Sequence, residues 1–155
     1  MEQKELAEVF LERIAASIDR ILATMDGLTQ DDINWRPPAE KTNSLYVLGV
    51  HTIAYTAFVI STKLCGKSGT RDAEAEFSAV GESVGPLRMS WQLQRKQLSE
   101  EMAKLPPGAL DKKYDYTNRN VSGIEVLLIL ARHAHEHVGH AELTRDLLKA
   151  SKAAK

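Results

Sequence analysis

The chain has a single cysteine, Cys65, in 155 residues. That excludes an internal disulfide and any multi-cysteine zinc module. If a metal binds, histidines must carry it. Charge of one sign is also missing: the formal net charge is -1, with lysines and acids interspersed. No electrostatic footprint for nucleic acid or an anionic membrane results, so neither is an expected partner. No apolar stretch is read as approaching the ~20 residues that span a bilayer, and Met-Glu-Gln-Lys-Glu lacks the basic-then-apolar layout of a signal peptide. A soluble, cytoplasmic protein is the expectation. Internal repeats and low-complexity segments are absent too, apart from a Lys/Ala-rich tail at 151–155 expected to fray.

What is present fits one globular domain over residues 1–150, since 43% of the residues are hydrophobic and 26% charged. Leu6, Phe10, Ile14, Ser17, Ile21 and Met25 recur at helical spacing before Gly27, predicting a first helix over 2–25. A second is predicted over 44–64, with Ser44 as N-cap and Gly66 as the stop; Val47, His51, Tyr55 and Phe58 share its face. Leu87, Trp91, Gln94, Leu98, Met102 and Leu105 mark a third, opening near Gly85-Pro86 and ending before Pro106. The fourth opens on Ser122-Gly-Ile-Glu125, which has the capping-box form, and runs to about Lys149. The predicted class is all-α, a four-helix bundle with long connecting loops.

Those connections, at 26–43, 65–84 and 106–121, exceed the roughly 2–8 residues usual between bundle helices, and read as functional rim. The middle one can extend to about 60 Å, which permits a crossover. The alternation around Tyr114 and Tyr116 suggests a short extended piece.

The chemistry concentrates in Arg132-His133-Ala-His135-Glu136-His137-Val-Gly-His140-Ala-Glu. At about 100° per residue, His133, His137 and His140 fall within roughly 60° of one another, on the stripe of Val126, Ile129 and Leu130, whereas His135 faces solvent or a partner subunit. His51 is the inward histidine of the second helix. Two imidazoles side by side in an apolar stripe each need a polar partner, and a shared metal answers both needs. His51, His133 and His137 thus form a candidate three-histidine site with an open position for water or substrate, provided the second and fourth helices are neighbours. Imidazole suits zinc, nickel, iron and copper alike. His140 either orients a bound substrate or water or caps the bundle end.

His133-Ala-His-Glu136-His137 also matches the H-x-x-E-H pattern of inverted zinc peptidases, with Glu136 as the water-activating carboxylate. Only 18 residues follow His137 here, too few for the further acidic ligand those larger enzymes take downstream. Cys65 reads as incidental, with no base beside it in sequence. Trp35, Tyr55 and Phe58 are packing residues or pocket walls; Arg36 and Arg132 are surface residues or anion clamps.

Three segments carry a resemblance to a known family: Leu28-Thr-Gln-Asp-Asp-Ile-Asn-Trp35-Arg-Pro37, Ser44-Leu-Tyr-Val-Leu-Gly-Val-His51, and His133-x-x-x-His137-Val-Gly-His140-Ala-Glu. Together they resemble the DinB-like (YfiT-like) superfamily over almost the whole chain. Mapped by motif, His51, His133 and His137 are the metal triad; many relatives have Gln where His140 stands. The resemblance implies up-down-down-up connectivity, a homodimer, and a divalent metal, zinc or nickel. It also implies a small-molecule substrate and, in members of known activity, transfer or isomerisation with a low-molecular-weight thiol such as bacillithiol or mycothiol. The same triad fits a non-catalytic metal- or ligand-binding stress protein, or a metal-dependent hydrolase.

Overall fold

In a computed structural model, which describes residues 1–154, the chain is mostly helical. The order is α1 (Gln3–Ala23), α2 (Gln30–Asn34), α3 (Leu45–Val59) continued by a π-helical turn (Ile60–Leu64), α4 (Ala73–Phe77), α5 (Val84–Met102), a hairpin of β1 (Lys113–Tyr116) and β2 (Arg119–Ser122), and α6 (Gly123–Ala153). The four long helices lie within a few residues of the predicted spans. α6 continues beyond Lys149 to Ala153, so 151–153 are helical rather than frayed, and Lys155 lies outside the described residues.

Local chemistry explains most boundaries. The Glu2 amide donates to the Glu5 carboxylate at 3.3 Å, and the chain leaves α1 through Gly27 at φ +72°. Ser44 and Ser122 each accept a backbone N–H three residues on, from Val47 and Glu125. In the hairpin, Lys113 pairs with Ser122 and Tyr116 with Arg119. Its two turn residues, Thr117 and Asn118, both have positive φ, as a two-residue turn matching strand twist requires.

α1 packs on α6, α3 and α5, and α3 on α5 and α6. The core is the inward stripes of these helices: Ile14, Ile18 and Ile21 from α1, Leu45 and Ile60 from the α3 segment, Trp91 and Leu98 from α5, and Leu127 and Leu130 from α6. Leu45–Leu64 corrects the earlier reading of apolar runs: its 20 residues, at mean hydropathy 1.5, reach the length and composition of a membrane span. About 61% of that window is buried against the other helices, as befits a core helix.

Two of the long connections contain short helices that periodicity does not announce, and both bear on the site. Thr29 caps α2, accepting from the Asp32 amide at 3.3 Å while Asp32 accepts from the Thr29 amide at 3.2 Å. Asn34 then exchanges two hydrogen bonds with the backbone of Gly81, at 2.7 and 3.0 Å. Arg36 donates to the Phe77 carbonyl at 2.6 Å and the Thr42 carbonyl at 3.1 Å. The 26–43 connection thus straps α4 against α3.

At the start of α6, a Cβ on Gly123 would lie 2.5 Å from the Ala109 carbonyl oxygen, a backbone atom that cannot swing aside. Gly123→Ala should therefore destabilise the fold by about 1–3 kcal/mol, the usual cost of overpacking, measured as a lower urea midpoint at unchanged m-value.

Candidate metal centre

α3 and α6 are neighbours, and their inward faces bring together His51, His133 and His137. The contact is made by the same nitrogen of each ring. His133 Nε2 lies 3.2 Å from His51 Nε2 and 3.1 Å from His137 Nε2. One ligand atom from each of the three residues lies within 4.8 Å of the others.

Proton bookkeeping shows why this cluster suits a cation. His51 Nδ1 faces the Glu76 carboxylate at 3.0 Å, so that nitrogen carries the proton and donates, leaving a lone pair on Nε2. His133 Nε2 has two nitrogen neighbours and at most one proton, so at most one of its two contacts can be a full hydrogen bond and the other leaves a lone pair unpartnered. His133 Nδ1, buried and without a hydrogen-bond partner, offers no alternative place to resolve the conflict. A cation accepting all three lone pairs does. Nitrogen ligands at about 2.0–2.1 Å around a tetrahedral ion stand about 3.3 Å apart, close to the separations present here. The donor set fits a borderline divalent metal.

Electrostatics holds the rings in the ligating form. Burial pushes His133 down to about 4, helped by the charges of His51, Arg71 and Arg132. Burial likewise takes His137 down to about 3, with His133, His51 and His140 adding and Glu136 opposing. His51 is lowered by burial against the pull of Glu76. All three imidazoles are neutral at neutral pH, and a nitrogen lone pair is what a metal takes.

Glu76, at 5% exposure, is the functional residue that the sequence did not disclose. It is held by Arg71, whose Nε donates to Oε1 at 2.6 Å and whose Nη2 donates to Oε2 at 2.8 Å. Burial would raise this carboxyl, but the hydrogen bonds from Arg71 and His51, with their charges, hold it below its ordinary value, so it stays ionised. A carboxylate behind a histidine fixes the ring's tautomer and orientation and makes its free nitrogen a better donor. Glu76→Gln, with the shape kept and the charge removed, should weaken zinc binding by about 10–100-fold in a chelator competition while leaving the helical circular dichroism unchanged.

Aromatic rings wall the trio. Tyr55 has its centroid 4.6 Å from that of His133, and Phe77 of α4 lies 4.7 Å from His51. The Arg71 guanidinium sits 4.9 Å over the Tyr55 ring, whose hydroxyl hydrogen-bonds that of Tyr116 on the hairpin. All three long connections, through α2's straps, α4 and the hairpin, therefore meet around the site.

The remaining candidates divide. His140 is exposed, with its Nδ1 3.2 Å from His137 Nδ1, and joins His137 on a cavity of about 360 Å³ lined also by Pro37, Leu48, Leu143 and Leu147. His135 and Glu136 are exposed on the outer side of α6 beside Arg132. Glu136 reaches the trio only through its charge on His137, which leaves the inverted-peptidase pattern without its glutamate in place. Phe58 lines a second cavity of about 530 Å³ with Lys67 and Gln97, whose wall also includes Arg71 and Glu76. Arg36 is spent on two carbonyls, and Trp35 is the half-buried C-cap of α2. Cys65 has its thiol pushed up to about 11 by burial and by the Glu101 charge, the reverse of an activated nucleophile.

A search of the curated proteins finds no match. The family model of the DinB superfamily matches residues 13–141, a span that runs from α1 into α6 and contains His51, Glu76, His133, His137 and His140. The chain belongs to the DinB superfamily.

Proposed function

We propose that this chain is a divalent-metal-dependent enzyme acting on a small molecule, its site held in a four-helix bundle of up-down-down-up connectivity. The long 65–84 connection supports that connectivity, since it reaches the distance a crossover needs. The single observation that carries the functional reading is the convergence of three Nε2 atoms from two helices, which would fill three positions of a tetrahedral ion, with no fourth ligand among the described residues.

His51, His133 and His137 would hold zinc or nickel. When bound, such an ion supplies Lewis acidity and lowers the pKa of a coordinated thiol or water. The residues of the chain do the rest. Glu76 keeps the proton on His51 Nδ1, and Arg71 keeps Glu76 ionised and aimed. Tyr55 and Phe77 shield the trio from water. The apolar cavity beside His137 offers room for the substrate, and His140, which lines it next to His137, would accept or return a proton there.

The activity we propose is transfer of a low-molecular-weight thiol to an electrophile, or an isomerisation that uses such a thiol. No side chain at the trio is itself a nucleophile, so the attacking group would come from the co-substrate. Isothermal titration of bacillithiol, mycothiol and glutathione into metal-loaded protein, followed by turnover with an electrophilic acceptor, tests this. Saturable binding of one thiol and metal-dependent adduct formation are expected. Absence of binding by all three would overturn thiol transfer and leave a metal-binding protein or a hydrolase.

A further inference from the structure

The cavity at His137 has a character that the metal trio does not account for. It follows α6 from His137 through His140, Leu143 and Thr144 to Leu147, about 15 Å at 1.5 Å per residue, and Leu48 of α3 and the 37–43 segment complete it. Its volume of about 360 Å³ lies within the roughly 300–1,000 Å³ of small-molecule sites. Leu143 is 60% exposed and Leu147 43%. Large apolar side chains that line a cavity and still face water are what the apolar body of a ligand covers.

One lysine and no carboxylate stand in that lining. Lys41 makes no ion pair among the described residues, whereas Lys67 and Arg71, the cations of the second cavity, each end on a buried carboxylate, that of Glu101 and that of Glu76. Its charge is therefore free for a ligand. Asn43, two residues on, adds an amide donor to the same lining.

The backbone at Lys41 is an independent observation. Among the described residues three that are not glycine have positive φ, and Lys41, at +60°, is one of them. The other two, Thr117 and Asn118, form the hairpin turn, where strand twist requires that conformation. Around Lys41 the chain is tied by Thr42, whose hydroxyl donates to the Pro37 and Ala39 carbonyls at 2.7 and 3.1 Å and whose own carbonyl accepts from Arg36 at 3.1 Å. These bonds fix a left-handed residue, which glycine adopts freely and a residue with a Cβ does not. None of them involves the lysine side chain. What that side chain does in the fold is line the cavity.

We infer that this cavity binds amphipathic organic acids, an alkyl or aryl body lying along Leu143 and Leu147 and a carboxylate on the Lys41 ammonium. A hydrogen bond between ions is shorter and stronger than one between neutral groups, so the acid is preferred to a neutral molecule of the same shape. Binding itself requires no metal. Only the further step, that this cavity seats the acceptor in thiol transfer, rests on the proposed function, and the acceptor is then an electrophile that carries an acid group.

Octanoate and its neutral isostere octanamide, titrated by calorimetry into metal-stripped protein at about pH 8, where free imidazole is neutral and a lysine ammonium is charged, provide the test. Octanoate should bind about tenfold more tightly than octanamide, the gain of one hydrogen bond to a charged group. Lys41→Gly should erase that preference, keep octanamide binding, and leave the urea midpoint at or above that of the unmodified protein, since glycine takes the left-handed backbone without strain. Lys41→Met, which keeps the apolar stem, should erase the preference with no gain in midpoint. Equal binding of the two probes, or binding of neither, would overturn the inference. So would a preference that survives both Lys41 variants. A preference seen only in zinc-loaded protein and lost in His133→Ala would also overturn it, because the carboxylate would then be a metal ligand; that result leaves the metal reading intact. Failure of the protein to take up metal, with the octanoate preference present, would overturn the metal reading and support this inference.

Discussion

Replacing His133 with alanine should abolish stoichiometric metal binding, with the affinity for zinc falling by more than about 100-fold, the upper end of the loss seen when only a supporting residue is removed. The reason lies in the position of its Nε2, within hydrogen-bonding distance of both other Nε2 atoms. Removing it leaves two nitrogens, on different helices, with nothing between them. A 100-fold loss is about 2.7 kcal/mol, and it should also appear as lost ligand-linked stability. Zinc at 100 times its dissociation constant raises the unfolding free energy of the unmodified protein by about 2.7 kcal/mol, and should leave that of the variant nearly unchanged. His140→Ala is the control, because that side chain approaches only the Nδ1 of His137. Its metal content should stay near that of the unmodified protein.

Trp91→Ala should cost about 3–5 kcal/mol of stability, the range for deleting a fully buried aromatic. Trp91 is 0% exposed in the core between α5 and its neighbours, and its indole N–H donates to Asp19 of α1 at 2.9 Å. Removing it leaves a large cavity and an Asp19 carboxylate short of one partner. Against a total stability of about 5–15 kcal/mol for a protein of this kind, the loss is about a fifth at the least. Urea unfolding should show it as a lower midpoint at unchanged slope. Trp91→Phe keeps most of the packing and should lose roughly 1–2 kcal/mol, separating the hydrogen bond and small volume change from the cavity.

The long helices and the inward histidines were legible because both rest on the 3.6-residue period, which needs only local spacing. That His51 shares a face with Val47 and Tyr55, and His133 and His137 with Val126 and Leu130, follows from the same arithmetic, and the adjacency of α3 and α6 made it a site. Glu76 and Arg71 were illegible for the opposite reason. α4 has five residues, too few to show any period, and it lies in a stretch whose Gly and Ser read as loop. What holds it in place is Asn34 and Arg36 from a distant connection, a tertiary effect with no local signature. The capping pair Thr29 and Asp32 was a readable sign of α2, since hydroxyl and carboxylate three residues apart mark a helix start. The apolar reach of Leu45–Leu64 was underestimated because His51, Thr52 and Thr56 interrupt the run to the eye, while the rest of the window is apolar enough to keep its mean at 1.5. Arg36 and Arg132 show the limit of reading charge from sequence. One is consumed by carbonyls and the other faces outward, and the guanidinium that matters, Arg71, stood in a segment with no pattern at all.

We propose that three imidazole nitrogens from two helices hold one ion with a position left open. Titration with cobalt(II), followed by visible absorption, tests it most directly. One equivalent per chain should produce the intense bands of a four- or five-coordinate cobalt site, responsive to added thiol, and each of His51→Ala, His133→Ala and His137→Ala should eliminate them. Equal cobalt uptake and an unchanged spectrum in all three variants, or no uptake by the unmodified protein, would contradict the account.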